Sequence, residues 1–302
     1  MTNPTSTPHE PTTTPRLDVV VVTYCAPEYV TTCLRSVLDH APHAELHVVD
    51  NASPDGTADR IAAEFPQIDL VRSTTNDGFA VANNRVLRDV DAPYALLLNP
   101  DARIDPDTVT TLVDFMERNP DIGVAGCRLL TENGTLDHAA KRNIPRPRDA
   151  LAYFVGRMVK ARVGRYTAPE VAPEDVADVD AVNGAFMLVR TAAMAQVGLL
   201  DERYWMYGED LDWCLRFRRA GWRVVYNGTV VAHHAKGGSA GVRSPRLTYH
   251  FHRSMALFYR DHVATGRTSS LIGTGAIYTM AAVLIVTNSL RRSVRRRTHG
   301  AR

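Results

Sequence analysis

Polar side chains close four apolar runs in the first third of the chain. Thr23 and Tyr24 follow LDVVVV, Asp50 and Asn51 follow ELHVV, Asn76 and Asp77 come shortly after IDLVRS, and Asn99-Pro100-Asp101 follows YALLL. Carboxylates and amides of this kind offer hard oxygen ligands for a divalent cation and acceptors for a polar ligand. Further along stands WMYGEDLDW, with Glu209 and Asp210 beside aromatic residues. Apolar neighbours desolvate a carboxylate and raise its pKa, which suits it to general-base work. VVAHHAKGGSAG then supplies His233 and His234. One polar strand ending is ordinary turn chemistry. Four of them on a shared edge favour a binding site, so the question passes to the elements that carry them.

Residues 17–24, 45–50, 68–73 and 94–100 read as strands, by length and by their continuous apolar, β-branched character. Between them, residues 28–40, a stretch ending at Phe65 and capped by Asp55 or Thr57, and GFAVANNRVLRDV, entered through Gly78, read as helices; TVTTLVDFMERN adds another. Strand alternating with helix implies an α/β fold, a mostly parallel central sheet flanked by helices on both faces. Right-handed crossovers place all strand C-terminal ends on one edge, where ligands bind in open α/β sheets. A helix starting near Gly208 is expected to end at Gly221. In it, Asp212 and Arg216 are four apart and read as a structural pair. His233 and His234 are adjacent on a strand, so only one of them can face the crevice.

Net charge is +2, which does not suggest a nucleic-acid partner. Cys25, Cys33, Cys127 and Cys214 show no CxxC spacing. MTNPTSTPHEPTTTPR has no apolar core of a leader and reads as a disordered tail, residues 1–16, so a cytosolic catalytic domain is expected. GxGxxG and Walker A patterns are missing. GGSAG at 237–241 matches a nucleophile elbow formally, but no strand enters it and Pro245 follows, so a flexible loop that closes over a ligand is the better reading. Residues 137–180 read as loops with a short helix around 148–160. Thr268 to Leu290 carry no charge, and RRSVRRR follows. A helix lying in or re-entering the cytoplasmic face of the cell membrane reconciles those arginines with a cytosolic catalytic domain.

The motifs VVVVTY, VVDNAS, NDGFAVANN, LLLNPDA, NGAFMLVR, LDERYWMYGEDLDWCLRFRRAGW and VVAHHAKGGS, in this order, resemble those of family 2 glycosyltransferases of GT-A fold, within them the bacterial rhamnosyltransferases. The resemblance spans residues 17–241, leaving 242–302 as a membrane-associating helical segment with a basic tail. It implies an inverting, metal-dependent transferase using a nucleotide-sugar donor, dTDP-rhamnose before a UDP-sugar, and a polyprenyl-diphosphate-linked saccharide acceptor. By the same resemblance, Thr23, with Tyr24 next to it, and Asp50 would hold the nucleobase and ribose. Asn76, Asp77, Gly78 and Asn83 would approach nucleotide and sugar. Asn99 takes the first place of an Asp-x-Asp motif, Asp101 would bind Mg²⁺ or Mn²⁺, and His233 would complete the metal shell. Asp210 would be the catalytic base, with Glu209 its competitor. Asn99 carries less negative charge than the aspartate of that motif, so Asn99→Asp is expected to tighten metal binding, read as a lower dissociation constant. A sugar nucleotidyltransferase or a non-catalytic nucleotide-sugar binder are the other readings. The first usually carries a Gly-rich basic loop after its first strand, and VTYCAPEYV has none.

Overall fold

A computed structural model describes residues 16–144, 166–235 and 244–299, with side chains described up to residue 289. The N-terminal tail, the short helix expected at 148–160 and the GGSAG loop lie outside the described residues.

Four strands organise the first half: β1 (Leu17–Thr23), β2 (Ala44–Asp50), β3 (Asp69–Arg72) and β4 (Tyr94–Leu98). Every residue of β1 and β4 is buried, as strands covered on both faces must be. They pair in parallel in the order β3-β2-β1-β4, with Thr23 level with Asp50 and Val21 level with Leu98. Helices α1 (Pro27–His40), α2 (Thr57–Glu64) and α3 (Phe79–Leu87) make the crossovers. Val30, Cys33, Leu34 and Val37 give α1 the apolar stripe that packs on the sheet. The expected ligand edge therefore forms.

Beyond β4 the chain departs from simple alternation. β5 (Ala102–Ile104), α4 (Thr108–Glu117), β6 (Ile122–Leu130), β7 (Lys141–Arg142), β8 (Val176–Asp178) and β9 (Ala181–Val182) lead to β10 (Phe186–Arg190). β10 inserts between β4 and β6, antiparallel to both. Its reversal puts its start, Asn183-Gly184-Ala185, at the C-terminal end of β4, where the Asn99 N–H donates to the Ala185 carbonyl at 3.0 Å. Helices α5 (Thr191–Val197) and α6 (Glu209–Arg219) follow, then β11 (Arg223–His234), parallel to β6 and antiparallel to β5 and β8. α6 ends as expected, with Gly221 at φ +91° beyond its last turn. Asp212 pairs with Arg216 at 2.8 Å and with His262 at 2.6 Å.

Helix α7 (Pro245–Phe258) starts at Ser244, whose hydroxyl accepts the Leu247 N–H, and runs through a π turn (Tyr259–Val263) into α8 (Arg267–His299). A Cβ at Gly273 would meet the Tyr259 ring at 2.1 Å, so glycine permits α8 to cross the π turn this closely. Residues 267–289 form the one helix among the described residues long and apolar enough to cross a membrane. Leu271 and Ile272 are 76% and 70% exposed, and Val283 and Val286 are also in the open.

At the opposite edge, His47 Nε2 lies 2.9 Å from Asp18 and its Nδ1 lies 3.0 Å from Asp69, tying β1, β2 and β3. Asp18, Glu45 and His47 are close enough to share a cation, but they sit at the strand N-terminal half, away from the crevice. Burial opposes protonation of His47, while the hydrogen bonds and charges of Asp69 and Asp18 outweigh it and raise its pKa. A raised histidine pKa gives stability that is complete below the unfolded value of about 6.5 and lost as pH rises through the folded value. Thermal melts from pH 6 to pH 9 are expected to show this decline in the wild type and less of it in His47→Gln.

Candidate active site

The edge above β1, β2 and β4 holds polar atoms that the fold buries without partners. Thr23 Oγ1, Asp50 Oδ2 and Asn83 Oδ1 are buried and make no hydrogen bond among the described residues. Thr23 and Asp50 stand level on neighbouring strands, and the other Asp50 oxygen accepts the Ser53 N–H at 2.9 Å. Leaving such atoms unpaired costs about 1–3 kcal/mol each, so Thr23 and Asp50, level at the ends of β1 and β2, call for a polar ligand. Backbone strain gathers here too. Cys25 (φ 53°) and Ala52 (φ 66°) are non-glycine residues in the left-handed region, each just after an expected strand ending. Tyr24 is exposed at the rim.

Asn51, which the sequence reading left without a role, joins β2 to the turn before α3. Its amide donates to Asn76 Oδ1 at 3.1 Å and to the Gly78 carbonyl at 3.2 Å, and its oxygen accepts the Asp77 N–H at 3.2 Å. Gly78 has φ +92°, and a Cβ there would meet the Trp205 carbonyl at 2.1 Å. That approach lets the Trp205 carbonyl accept the Phe79 N–H at 2.8 Å while the indole donates to the Asn76 carbonyl at 3.2 Å. Asp77 pairs with Arg85 at 2.5 Å. Asn83 donates back to the Phe79 carbonyl, whereas Asn84 holds the Leu200 backbone from both sides. The loop that carries Trp205 is thereby fixed over the start of α3.

Asn99, Asp101 and a histidine converge at the end of β4, but the histidine is His234. Its Nε2 lies 3.3 Å from Asp101 Oδ1 and 3.5 Å from the Asn99 amide nitrogen, and its Nδ1 lies 2.9 Å from the buried Asp137. The expected His233 instead meets Asp105 at 2.8 Å. The strand pleat is the reason: β5 pairs with the end of β11, His234 level with Ala102 and His233 level with Arg103, so the two imidazoles take opposite faces. Burial lowers the proton affinity of His234, but Asp101 and Asp137 outweigh it and raise its pKa to about 9. Carboxylate, amide and imidazole donors suit Mg²⁺ or Mn²⁺. Asp137 on the second ring nitrogen is the kind of partner that orients a metal-bound histidine.

Asp210 reaches the same edge through α6. Gly208 (φ 89°) turns the chain into the helix, and Gly184, at the start of β10, donates its N–H to Asp210 Oδ2 at 3.1 Å. Arg142, on β7, grips the same carboxylate with 2.6 Å and 3.4 Å contacts, both side chains being buried. Glu209 is buried next door, its Oε2 without a hydrogen-bond partner among the described residues. Burial, followed by the Asp210 charge, pushes its pKa up to about 8. Asp210 is the one of the two carboxylates that Arg142 and the Gly184 N–H hold in place. Asp137 and Arg142 lie in the loop-rich stretch whose side chains the sequence reading did not resolve. A buried arginine on a two-residue strand carries no sequence signature.

A parallel half-sheet with unsatisfied acceptors at its edge, extended by antiparallel β10, with a carboxylate pair at the start of α6 held against the residues that lead into β10, is the GT-A class of glycosyltransferase architecture. The sequence pattern of Glycosyl transferase family 2 matches residues 18–170, just over half of the chain, and the chain belongs to that family. It is 29% identical over 298 residues to N-acetylglucosaminyl-diphospho-decaprenol L-rhamnosyltransferase of Mycobacterium tuberculosis, a match covering 93% of this chain and 96% of that one. Rhamnosyltransferase WbbL of Escherichia coli is 25% identical, over 82% of this chain and 95% of its own. The solved mannosyltransferase PcManGT from Pyrobaculum calidifontis, in complex with GDP-Man and Mn²⁺, superposes with a TM-score of 0.58 at 21% identity, over 92% of this chain and 81% of its own. That likeness concerns the fold.

Proposed function

We propose that this chain transfers L-rhamnose from dTDP-rhamnose, with inversion, onto a polyprenyl-diphosphate-linked saccharide at the cytoplasmic face of a membrane, in surface polysaccharide synthesis. The observation that carries the nucleotide-sugar part is the pair of buried atoms Thr23 Oγ1 and Asp50 Oδ2, level at the strand ends and without a hydrogen-bond partner among the described residues. The names of the mycobacterial and E. coli relatives support the sugar and the acceptor, and the exposed apolar face of α8 supports the membrane.

Thr23 and Asp50 bind the base and ribose end. Asn99, Asp101 and His234 hold a divalent cation, which when bound neutralises the charge growing on the departing diphosphate. Asp210 accepts the acceptor hydroxyl's proton while that oxygen bonds to the anomeric carbon and the bond from that carbon to the diphosphate oxygen breaks. Arg142 and Gly184 keep the carboxylate aimed.

Calorimetric titration of dTDP, dTDP-rhamnose and UDP-sugars, with and without Mg²⁺ or Mn²⁺, tests the reading. Metal-dependent binding of the dTDP ligands supports it. Preference for a UDP-sugar keeps the enzyme class and changes the donor; no nucleotide binding by folded protein overturns it. Cation binding must displace the His234 proton, so affinity for Mg²⁺ is expected to rise with pH from about 6.5 to about 9, by up to tenfold per unit. His234→Ala should abolish that dependence and His233→Ala should keep it. The reverse result would restore His233 as the ligand.

A further inference from the structure

Helix α7 carries an uncompensated cationic face against the wall of the donor crevice. The Arg246 guanidinium lies over the Trp205 ring, 5.0 Å from its centroid. One turn later His250 lies against the same indole, with ring centroids 4.2 Å apart and planes at 31°. Arg253 is held in place by donating to the Arg203 carbonyl at 2.6 Å. Among the described residues, no carboxylate forms an ion pair with Arg246 or Arg253, although most other arginines of the domain have one. His250 Nδ1 is buried with no hydrogen-bond partner among the described residues. Burial, then the charges of Arg246 and Arg253, lower the His250 pKa, which marks a local excess of positive charge. Cations left unpaired beside a rigid aromatic platform suit an anion with several oxygens.

The position narrows the anion. Trp205 has two sides: its carbonyl and indole N–H build the crevice at Phe79 and Asn76, while its ring carries Arg246 and His250. α7 is fastened to the segment leading into Asp210, since Ser254 donates to the Met206 carbonyl at 3.0 Å and Phe251 packs edge-on against Tyr207. At its other end α7 continues through the π turn into α8, whose start exposes Leu271 and Ile272. An anion on this face has a carboxylate base on one side and an apolar surface on the other.

We propose that Arg246, His250 and Arg253, arrayed around Trp205, bind the diphosphate of the lipid-linked acceptor, holding its sugar toward Asp210 and its isoprenoid toward α8. This rests on the acceptor class given above. The residues act by positioning the acceptor and take no part in proton transfer.

The test uses the full chain in detergent and the variants Arg246→Ala and Arg246→Ala/Arg253→Ala, with melts to show that they fold. Three readouts are taken: KM and kcat for a polyprenyl-diphosphate-linked GlcNAc, the dissociation constant for dTDP-rhamnose, and binding of inorganic diphosphate to the donor-saturated protein. The double variant is expected to raise the acceptor KM about 10- to 100-fold, with kcat and donor affinity within a few-fold, and to lose diphosphate binding. Arg246→Lys should recover part of the KM. Loss of donor affinity instead would assign the face to the donor. An unchanged acceptor KM in detergent, with weaker binding to phosphatidylglycerol vesicles, would assign it to lipid headgroups. Either result overturns the proposal. If the wild type turns over no lipid-linked acceptor, the functional reading above fails, and diphosphate binding that depends on Arg246 and Arg253 still distinguishes a built anion site from none.

Discussion

Asp210→Asn is expected to lower turnover by about 10²- to 10⁴-fold, the range for losing a general base, with nucleotide-sugar affinity unchanged by calorimetry. The amide is almost isosteric but takes up no proton from an attacking hydroxyl. In the wild type its place is fixed by the Gly184 N–H, the Leu211 N–H at 2.8 Å and Arg142; all three donate, so the amide also leaves the buried Arg142 charge without its carboxylate, and thermal melts of the variant separate lost stability from lost basicity. Glu209→Gln is the matching control. Burial, followed by the Asp210 charge, raises that carboxyl's pKa, and a neutral amide mimics its protonated form. Turnover in Glu209→Gln is expected to stay within a few-fold of wild type. If Glu209→Gln were inactive and Asp210→Asn active, the base would be Glu209.

Arg142→Met is expected to cost the largest stability of any single change here, about 3–5 kcal/mol, because it strands a buried carboxylate. Arg142 and Asp210 are 7% and 10% exposed, so solvent screens the pair little. For a chain of this size that is a melting temperature lower by roughly 5–8 °C. The double variant Arg142→Met/Asp210→Asn should regain most of the loss, since neither side is then an unpaired charge. A melting temperature in Arg142→Met equal to wild type would remove the pair from any structural role. Activity should also fall in Arg142→Met with donor binding retained, because the carboxylate loses the group that aims it.

The first and fourth strands were legible because a parallel strand covered on both faces must be largely apolar, and VVVV and YALLL are; the second and third were legible from the β-branched residues in HVV and LV, between polar ends. The helix ending at Gly221 was legible because a glycine past the last turn has a mechanical reason to be there. The direction of β10 was not: FMLVR is equally apolar in either orientation, and only its neighbours fix which end meets Asn99. The choice between His233 and His234 turned on a one-residue register with β5, three residues long, which local pattern does not set. Arg142 was hidden for a different reason. An arginine in a Pro- and Arg-rich stretch looks solvated until long-range packing closes Asp210 over it. Asn51 and Asn84 read as turn and helix residues, and their use as bridges between distant loops exists only in the assembled fold.

The insertion of β10 bears on how the chain is made. β4 is complete at Leu98, but its second neighbour begins at Phe186. Synthesis at about 5–20 residues per second leaves the β4 flank without its partner for roughly 4–18 s. During that interval Tyr94-Ala95-Leu96-Leu97-Leu98 is an open apolar edge, the kind that pairs with other chains. The nascent protein is thus most exposed to aggregation, and most dependent on chaperones, before its second half leaves the ribosome, and slow codons between β4 and β10 would lengthen that exposure.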